Sequence, residues 1–114
     1  MVDDMERLSS KSCVPCRGGV APLTPEAARG LLAAVPAWRL EENATRLVHR
    51  FEFRDFVEAI KFVNRVADVA EKEGHHPDIH IHYNLVKLVL WTHDLGGLSE
   101  NDFILAAKID EFNE

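Results

Sequence analysis

A helical pattern in the middle of the chain limits the folds it can adopt. Over residues 54–73, apolar side chains recur at steps of three and four, namely Phe56, Ile60, Val63, Ala67 and Ala70. Asp55 and Glu58 have the spacing of a capping box, and Gly74 is a natural stop for the helix. The pattern predicts a long amphipathic helix, whose apolar side must pack on another layer of structure.

A pair of β-strands is expected on each side of this helix in the sequence. Residues 38–41 and 47–53 alternate imperfectly between apolar and polar side chains, with the composition of a hairpin turn between them. After Pro77, a half-buried strand is expected with Ile79, Ile81 and Tyr83 on its inner side. Residues 85–93 are rich in β-forming side chains and predict its partner strand.

Two further helices complete the expected order. Thr24 caps the first, which Pro36 stops after Val35. Ser99 and Asp102 cap a last helix that is apolar almost all round and is therefore expected to bury part of itself against another subunit. Short links favour antiparallel pairing. The chain thus predicts an α+β fold of order α-β-β-α-β-β-α, in which a four-stranded antiparallel sheet has helices packed on one face.

Size and charge narrow the class of protein. The 114 residues suffice for one domain, and residues 1–23, which carry Cys13-x-Pro15-Cys16, are expected to form an irregular arm ahead of a folded domain over residues 24–114. The acidic first residues lack the apolar stretch of a signal peptide, which predicts a cytoplasmic protein. No apolar run approaches the roughly 20 residues of a bilayer span. A net charge of −6 disfavours nucleic acid as a partner.

Two pairs of side chains raise the question of a metal, and no metal site is expected. Cys13 and Cys16 supply half of a zinc site at best, and in a reducing compartment they are expected to be thiols. His80 and His82 could share a metal, but they lie opposite the apolar side of their strand and are expected to face water. Redox chemistry of the thiols, or a metal shared between subunits, stays open.

The densest group of titratable side chains, residues 71–77, lies where the long helix ends and a strand begins. Imidazoles exchange protons near neutrality, so the adjacent His75 and His76 suit acid–base catalysis. The alternative is a polar turn in which these histidines interact with the C-terminal end of the helix dipole.

His93 strengthens the catalytic interpretation. It follows Trp91 on the same side of the last strand and precedes the Gly96-Gly97 loop. An aromatic ring, a histidine trio and glycine backbone predict a pocket for a flat heterocycle, with the indole stacking on it. The alternative makes Trp91 a packing residue and His93 a strand terminus.

Asp102 has two expected roles. As the third residue of the last helix it caps the helix start. A carboxylate held at that place could also orient an imidazole, and both roles can coexist.

Three separated blocks stand out together. They are Glu71-Lys72-x-x-His75-His76-Pro77 with Tyr83 beyond it, Thr92-His93, and Gly97-Leu98-Ser99-Glu100-x-Asp102. Trp38 and the segment Phe51-x-Phe53-x-Asp55-Phe56 precede them. This combination resembles the pterin-4a-carbinolamine dehydratase family, and the resemblance covers residues 24–114 as one dehydratase-like domain.

The resemblance implies a four-stranded antiparallel sheet backed by helices, a homodimer or homotetramer, a pterin substrate and no cofactor. The family's catalytic histidines fall on His75, His76 and His93, its supporting acid on Asp102, its pterin-lining positions near Gly74, Trp91, Thr92 and Asp94, and Glu71 is a further contributor. Members eliminate water from 4a-hydroxytetrahydropterin, the carbinolamine formed when an aromatic amino acid hydroxylase uses tetrahydropterin, and release quinonoid dihydropterin. The expected enzyme is therefore a hydro-lyase.

Three other functions fit parts of the sequence. The same fold can serve a pterin-binding accessory protein, for instance in molybdenum-cofactor metabolism. The apolar last helix fits a protein-interaction or dimerisation module, and the histidines fit a metal-dependent hydrolase. The intact histidine trio favours dehydration over these alternatives.

Overall fold

The computed structural model describes residues 7–14 and 21–112. Its helices are α1 (Pro25–Leu32), α2 (Phe56–Glu73) and α3 (Glu100–Phe112), and its strands are β1 (Arg39–Glu41), β2 (Arg46–Glu52), β3 (Asp78–His82) and β4 (Leu85–Leu90). Short 3₁₀ turns occupy Leu8–Ser10 and His93–Leu95. The strands form one antiparallel sheet in the order β1-β2-β4-β3. The predicted α+β fold and its order of elements are confirmed.

The hydrophobic core joins the central strands of the sheet to α2 and α3. In β4, alternate residues point to the helices, and Val86, Leu88 and Leu90 are fully buried there. Phe103 and Ile109 of α3 are fully buried in the same core. Burial of a large apolar side chain stabilises a fold by about 1.5–3 kcal/mol, so these contacts fix the end of β4 relative to the start of α3.

The helix α2 begins and ends as predicted, but a different side of it is buried. The Asp55 carboxylate accepts a hydrogen bond from the Glu58 amide at 2.9 Å, and Gly74 ends the helix with φ 66°. The buried residues are Ala59, Phe62, Val66 and Ala70, whereas Phe56 is 49% exposed. The predicted residues and the buried residues both recur at steps of three and four, so the periodicity alone does not show which set is buried. Packing of Phe62 on Phe51, with ring centres 4.6 Å apart, decides the rotation of the helix.

The strand β3 is more exposed than predicted. Ile79 is partly buried, but Ile81 is 39% exposed and Tyr83 is 66% exposed. Tyr83 lies outside the strand, in the turn to β4, with φ 55°. Because β3 is at an edge of the sheet, less of its inner face is covered.

The prediction for the first helix also needs a correction. The helix α1 ends at Leu32, and a turn, rather than the helix, leads from there to Pro36.

The described part of the N-terminal arm covers α3. Leu8 is buried in the core, and the Ser9 hydroxyl donates a hydrogen bond to Glu111 of α3 at 2.7 Å. Phe103 is fully buried within the chain, so the apolar character of α3 requires no second subunit. Association into dimers or tetramers stays a prediction, as does the domain boundary at residue 24. Pro15 and Cys16 of the predicted cysteine motif lie outside the described residues.

None of the helices in the described part of the chain is long and apolar enough to cross a bilayer.

Candidate active site

A cavity of about 470 Å³ opens where α2 ends, β3 begins, β4 ends and α3 begins. Its lining consists of Val14, Gly74, His75, His76, Pro77, Asp78, Trp91, Thr92, His93, Asp94 and Asn101. The three histidines singled out in the sequence therefore share one cavity, although His93 is separated from the other two along the chain by a complete β-hairpin.

The turn that ends α2 brings the first histidine to this place. Gly74 adopts a left-handed conformation with φ 66°, which glycine reaches without the steric cost of a Cβ atom. The amide of Gly74 donates to the carbonyls of Ala70 and Glu71, and the amide of His75 donates to the Ala70 carbonyl at 3.2 Å. These bonds satisfy the last carbonyls of the helix and reverse the chain, so that His75 follows the helix end directly.

His75 forms a hydrogen bond with a fully buried carboxylate. Its Nε2 lies 2.6 Å from Oδ1 of Asp102, and the two side chains are 12% and 0% exposed. An ionised carboxylate only accepts hydrogen bonds, so Nε2 carries a proton and donates a hydrogen bond to Asp102. This bond fixes the tautomer of a neutral His75 and leaves Nδ1 as the ring nitrogen that can gain or lose a proton.

The second oxygen of Asp102 holds the carboxylate in position. Oδ2 accepts a hydrogen bond from the Thr92 hydroxyl at 2.9 Å and one from the Ser99 amide at 3.0 Å. Because Thr92 donates its only hydroxyl proton to Asp102, the Ser99 hydroxyl is the donor in the 2.7 Å contact between the two hydroxyls. The helix-capping role predicted for Asp102 and its contact with an imidazole therefore coexist in one network.

His76 occupies the outer part of the cavity. Its Nε2 lies 2.6 Å from Oε2 of Glu71, and the two side chains are 57% and 78% exposed. Water competes for both partners of this exposed pair, so the interaction is weaker than that of the buried His75–Asp102 pair, although the two distances are equal. His76 is therefore free to turn toward a ligand at little energetic cost.

His93 reaches the cavity in a way that the sequence did not predict. It lies in the 3₁₀ turn after β4, and its ring stacks on that of Trp91 with centres 3.8 Å apart. The guanidinium carbon of Arg46 lies 3.6 Å from the centre of the same indole. Two planar groups this close to one ring cannot share a face, so the indole lies between them. Both faces of the indole are covered in this structure, by His93 and by Arg46, so neither face is open for the predicted stacking of a ligand.

The indole is also held by its edge. Its Nε1 donates to Oδ2 of Asp78 at 3.1 Å, so that Trp91 positions the ring of His93 rather than contacting a ligand through its face. The Gly96-Gly97 loop contributes through its backbone, since the Thr92 amide donates to the Gly97 carbonyl at 2.7 Å and fixes the end of β4. Both contacts make His93 a defined part of the cavity wall.

The predicted site residues separate into two groups. Gly74, His75, His76, Trp91, Thr92, His93 and Asp94 line the cavity, whereas Asp102 and Glu71 contact it through the histidines that they bond. The residues that were not predicted as site residues are Val14, Pro77, Asp78 and Asn101 in the wall, and Arg46 behind Trp91. Asp78 and Pro77 adjoin the histidine pair and could have been included on position alone. Val14 had no such signal, because it belongs to the arm.

The lining is suited to proton transfer to a polar ring. It combines three histidines with two acidic residues, Asp78 and Asp94, and with one apolar residue of the arm, Val14. Within residues 7–14 and 21–112, no three His, Cys, Asp or Glu side chains are grouped so as to hold a metal ion. The cavity volume is in the range that accommodates a small heterocycle.

Comparisons with known proteins point to one family. The sequence pattern of the family described as Pterin 4 alpha carbinolamine dehydratase matches residues 21–112. A protein of Halorhodospira halophila, provisionally named pterin-4-alpha-carbinolamine dehydratase, is 52% identical over 103 residues, which cover 90% of this chain and 94% of the relative. The pterin-4-alpha-carbinolamine dehydratase 2 of Arabidopsis thaliana, named as mitochondrial, is 49% identical over 108 residues, covering 91% of this chain and 58% of that protein.

Two solved structures share the fold. The transcriptional coactivator/pterin dehydratase from Brucella melitensis has a TM-score of 0.77 and 31% identity, covering 82% of this chain and 99% of that one. A pterin dehydratase-like protein identified as a RuBisCO assembly factor in the alpha-carboxysome has a TM-score of 0.57 and 26% identity, covering 66% of this chain and 87% of that one. The predicted resemblance is confirmed, and the chain belongs to the pterin-4a-carbinolamine dehydratase family of hydro-lyases.

Proposed function

We propose that this protein eliminates water from a 4a-hydroxytetrahydropterin and releases quinonoid dihydropterin, with His75, His76 and His93 as its catalytic residues. The observation that supports this most is the buried His75–Asp102 pair in the wall of a cavity that also contains His76 and His93. Such a cavity offers proton donors and acceptors close together without a metal or an organic cofactor.

The reaction requires two proton movements. The hydroxyl on C4a is a poor leaving group and must be protonated to depart as water, while the N5 lone pair forms a double bond to C4a and N5 loses its proton. Imidazoles supply both an acid and a base near neutrality. Either His75 or His93 delivers the proton to the C4a hydroxyl, and His76 holds or deprotonates the pterin.

The environment of His75 supports its assignment to proton transfer. Its Nε2–H is bonded to Asp102, so a proton can be exchanged at Nδ1 without breaking that bond. When Nδ1 is protonated, the imidazolium forms an ion pair with a carboxylate that also accepts hydrogen bonds from Thr92 and Ser99. His75 thus gains and loses a proton with little rearrangement of its surroundings.

The test is the ultraviolet decay of a synthetic 4a-hydroxytetrahydropterin, followed with and without protein. The wild type should accelerate the decay with turnover, and His75→Ala should lower kcat by roughly 10²-fold, the usual contribution of one acid–base group. His80→Ala is a matched control, because His80 is exposed on β3 and is absent from the cavity wall. Decay at the uncatalysed rate in the presence of wild-type protein would refute the proposed activity.

A role in assembling or activating other proteins is the second candidate, because one structural relative is described as a transcriptional coactivator and the other as a RuBisCO assembly factor. A pterin-binding accessory protein is a third. Both predict that the protein binds its partner or its pterin without accelerating the decay, so the same assay separates them from an enzyme. A cytoplasmic location and the absence of a nucleic-acid partner stay predictions.

A further inference from the structure

Residues 7–14 of the N-terminal arm lead to the cavity. Val14 is part of the cavity lining, together with the histidines. The chain reaches this point along α3, where Lys108 donates to the Ser9 carbonyl at 2.8 Å and Lys11 pairs with Glu100 at 2.8 Å. The arm is therefore attached over its described length before it meets the cavity.

A buried asparagine fixes the backbone of Val14. The Val14 amide donates to Oδ1 of Asn101 at 3.0 Å, and Nδ2 of Asn101 donates to the Val14 carbonyl at 2.6 Å. Asn101 is only 4% exposed and precedes Asp102, the partner of His75. A buried amide that bonds both polar groups of one residue restrains that residue in position and orientation.

The preceding residue is attached to the other side of the cavity. The amide of Cys13 donates to Oε1 of Glu73 at 2.9 Å, and Glu73 is the last residue of α2, two positions before His75. The Glu73 side chain is 8% exposed and lies 3.7 Å from Lys108 of α3. Residues 13 and 14 therefore bridge the end of α2 and the start of α3, the two elements that present His75 and Asp102.

Packing within the protein does not explain why an apolar side chain is present at residue 14. It is 64% exposed, whereas its backbone is bonded to a buried amide. Because Val14 lines the cavity, a ligand that occupies the cavity can bury this exposed apolar side chain. Among the cavity-lining residues, the histidines and aspartates can form hydrogen bonds with the polar groups of a ligand. Val14 offers an apolar contact for a ring face or an alkyl substituent.

We propose that Val14, held by Asn101, is a substrate-binding residue that contacts the bound pterin through its methyl groups and makes the arm a wall of the active site. This inference rests on the proposed function. A contact of this kind is equally strong with the substrate and with the transition state, so it contributes to KM and not to kcat. It takes no part in proton transfer.

The experiment compares three variants with the wild type, in turnover of the 4a-hydroxytetrahydropterin and in fluorescence titration with a stable 7,8-dihydropterin. Val14→Ala removes two carbons and keeps the backbone bonds, and should raise both KM and the dihydropterin Kd roughly five- to fifteen-fold at an unchanged kcat. Asn101→Leu keeps the volume and removes the amide, and should raise both constants at least as much. Ser9→Ala loses the bond to Glu111 at the other end of the arm and should leave both constants unchanged.

The outcomes distinguish the two proposals. If the wild type neither binds dihydropterin nor turns over the carbinolamine, the proposed function fails. If the wild type does both and Val14→Ala has wild-type KM and Kd, the inference about Val14 is overturned while the proposed function stands. Thermal melting confirms that each variant is folded, and Val14→Ala alone decides the matter if Asn101→Leu does not fold, because an exposed side chain at residue 14 contributes little to stability.

Discussion

Replacement of Asp102 by asparagine separates the structural role of this residue from its effect on His75. The carboxylate accepts hydrogen bonds from the His75 ring, the Thr92 hydroxyl and the Ser99 amide. An asparagine has nearly the same shape, and its carbonyl oxygen can keep the last two donors. Its amide nitrogen then faces Nε2 of His75 at 2.6 Å, where two N–H groups would clash.

The expected result is a change of tautomer. To accept from the new amide, Nε2 of His75 must lose its proton, and a neutral ring then carries the proton on Nδ1. The imidazolium that delivers a proton from Nδ1 then forms only if Nε2 gives up its bond to the amide, so His75 becomes a poorer acid. The kcat for carbinolamine dehydration should therefore fall by roughly 10²-fold or more, which corresponds to about 2.7 kcal/mol of barrier. Because two of the three bonds persist, the free energy of unfolding should fall by only about 1 kcal/mol.

Asp102→Ala is the matched comparison. It removes all three bonds and leaves the Thr92 hydroxyl and the Ser99 amide buried without this acceptor, so it should destabilise the protein by about 2–4 kcal/mol. Stopped-flow decay of the carbinolamine gives kcat, and denaturant titration gives the free energy of unfolding. If Asp102→Asn kept wild-type kcat while remaining folded, the assignment of Asp102 as a positioning residue for His75 would be refuted.

Four further predictions follow from the same contacts. His93→Ala should lower turnover by roughly 10²-fold or more without loss of the fold, since this ring stacks only on Trp91 among the described contacts; unchanged turnover would remove His93 from the mechanism. Burial lowers the pKa of His49, so the folded state binds fewer protons than the unfolded state. The contribution of His49 to stability is therefore complete above about pH 6.5 and is lost as the pH falls below it. Between about pH 7.5 and 5, the Tm of His49→Phe should fall less than the Tm of the wild type. Gly74→Ala should destabilise the protein by about 1 kcal/mol in denaturant titration, because φ is 66° and any Cβ is disfavoured there, whereas Gly30→Ala in the interior of α1 should not. Treatment with a chelator should leave turnover unchanged, and a loss that added zinc restores would contradict metal-independent catalysis.

The sequence predicted the site best where local rules place a side chain. The bond from the Ser99 amide to the Asp102 carboxylate, which is one half of the predicted capping box, and the helix stop at Gly74 depend on residues a few positions apart, and both are present. His75 and Asp102 belong to these two helix ends, so the sequence could identify them as candidates. That their side chains meet at 2.6 Å depends on the packing of α2 and α3 against the sheet, which no local pattern specifies.

Predictions that depended on tertiary packing were less accurate. The apolar residues of α2 form two overlapping stripes of equal period, and only the aromatic contact between Phe62 and Phe51 shows which one is buried. Trp91 was correctly placed at the cavity, but its faces are taken by His93 and Arg46, and Arg46 comes from a different strand. Val14 could not be predicted, because its place at the cavity depends on bonds to an asparagine 87 positions away.

If the proposed function is right, three imidazoles from two separate parts of the chain surround one pterin ring. Nuclear magnetic resonance of the histidine rings during titration with a stable 7,8-dihydropterin tests it directly. We expect saturable shifts for His75, His76 and His93 and unchanged signals for His80 and His82, which are exposed on β3 outside the cavity. Saturable binding that leaves the signals of His75 and His93 unmoved would contradict it.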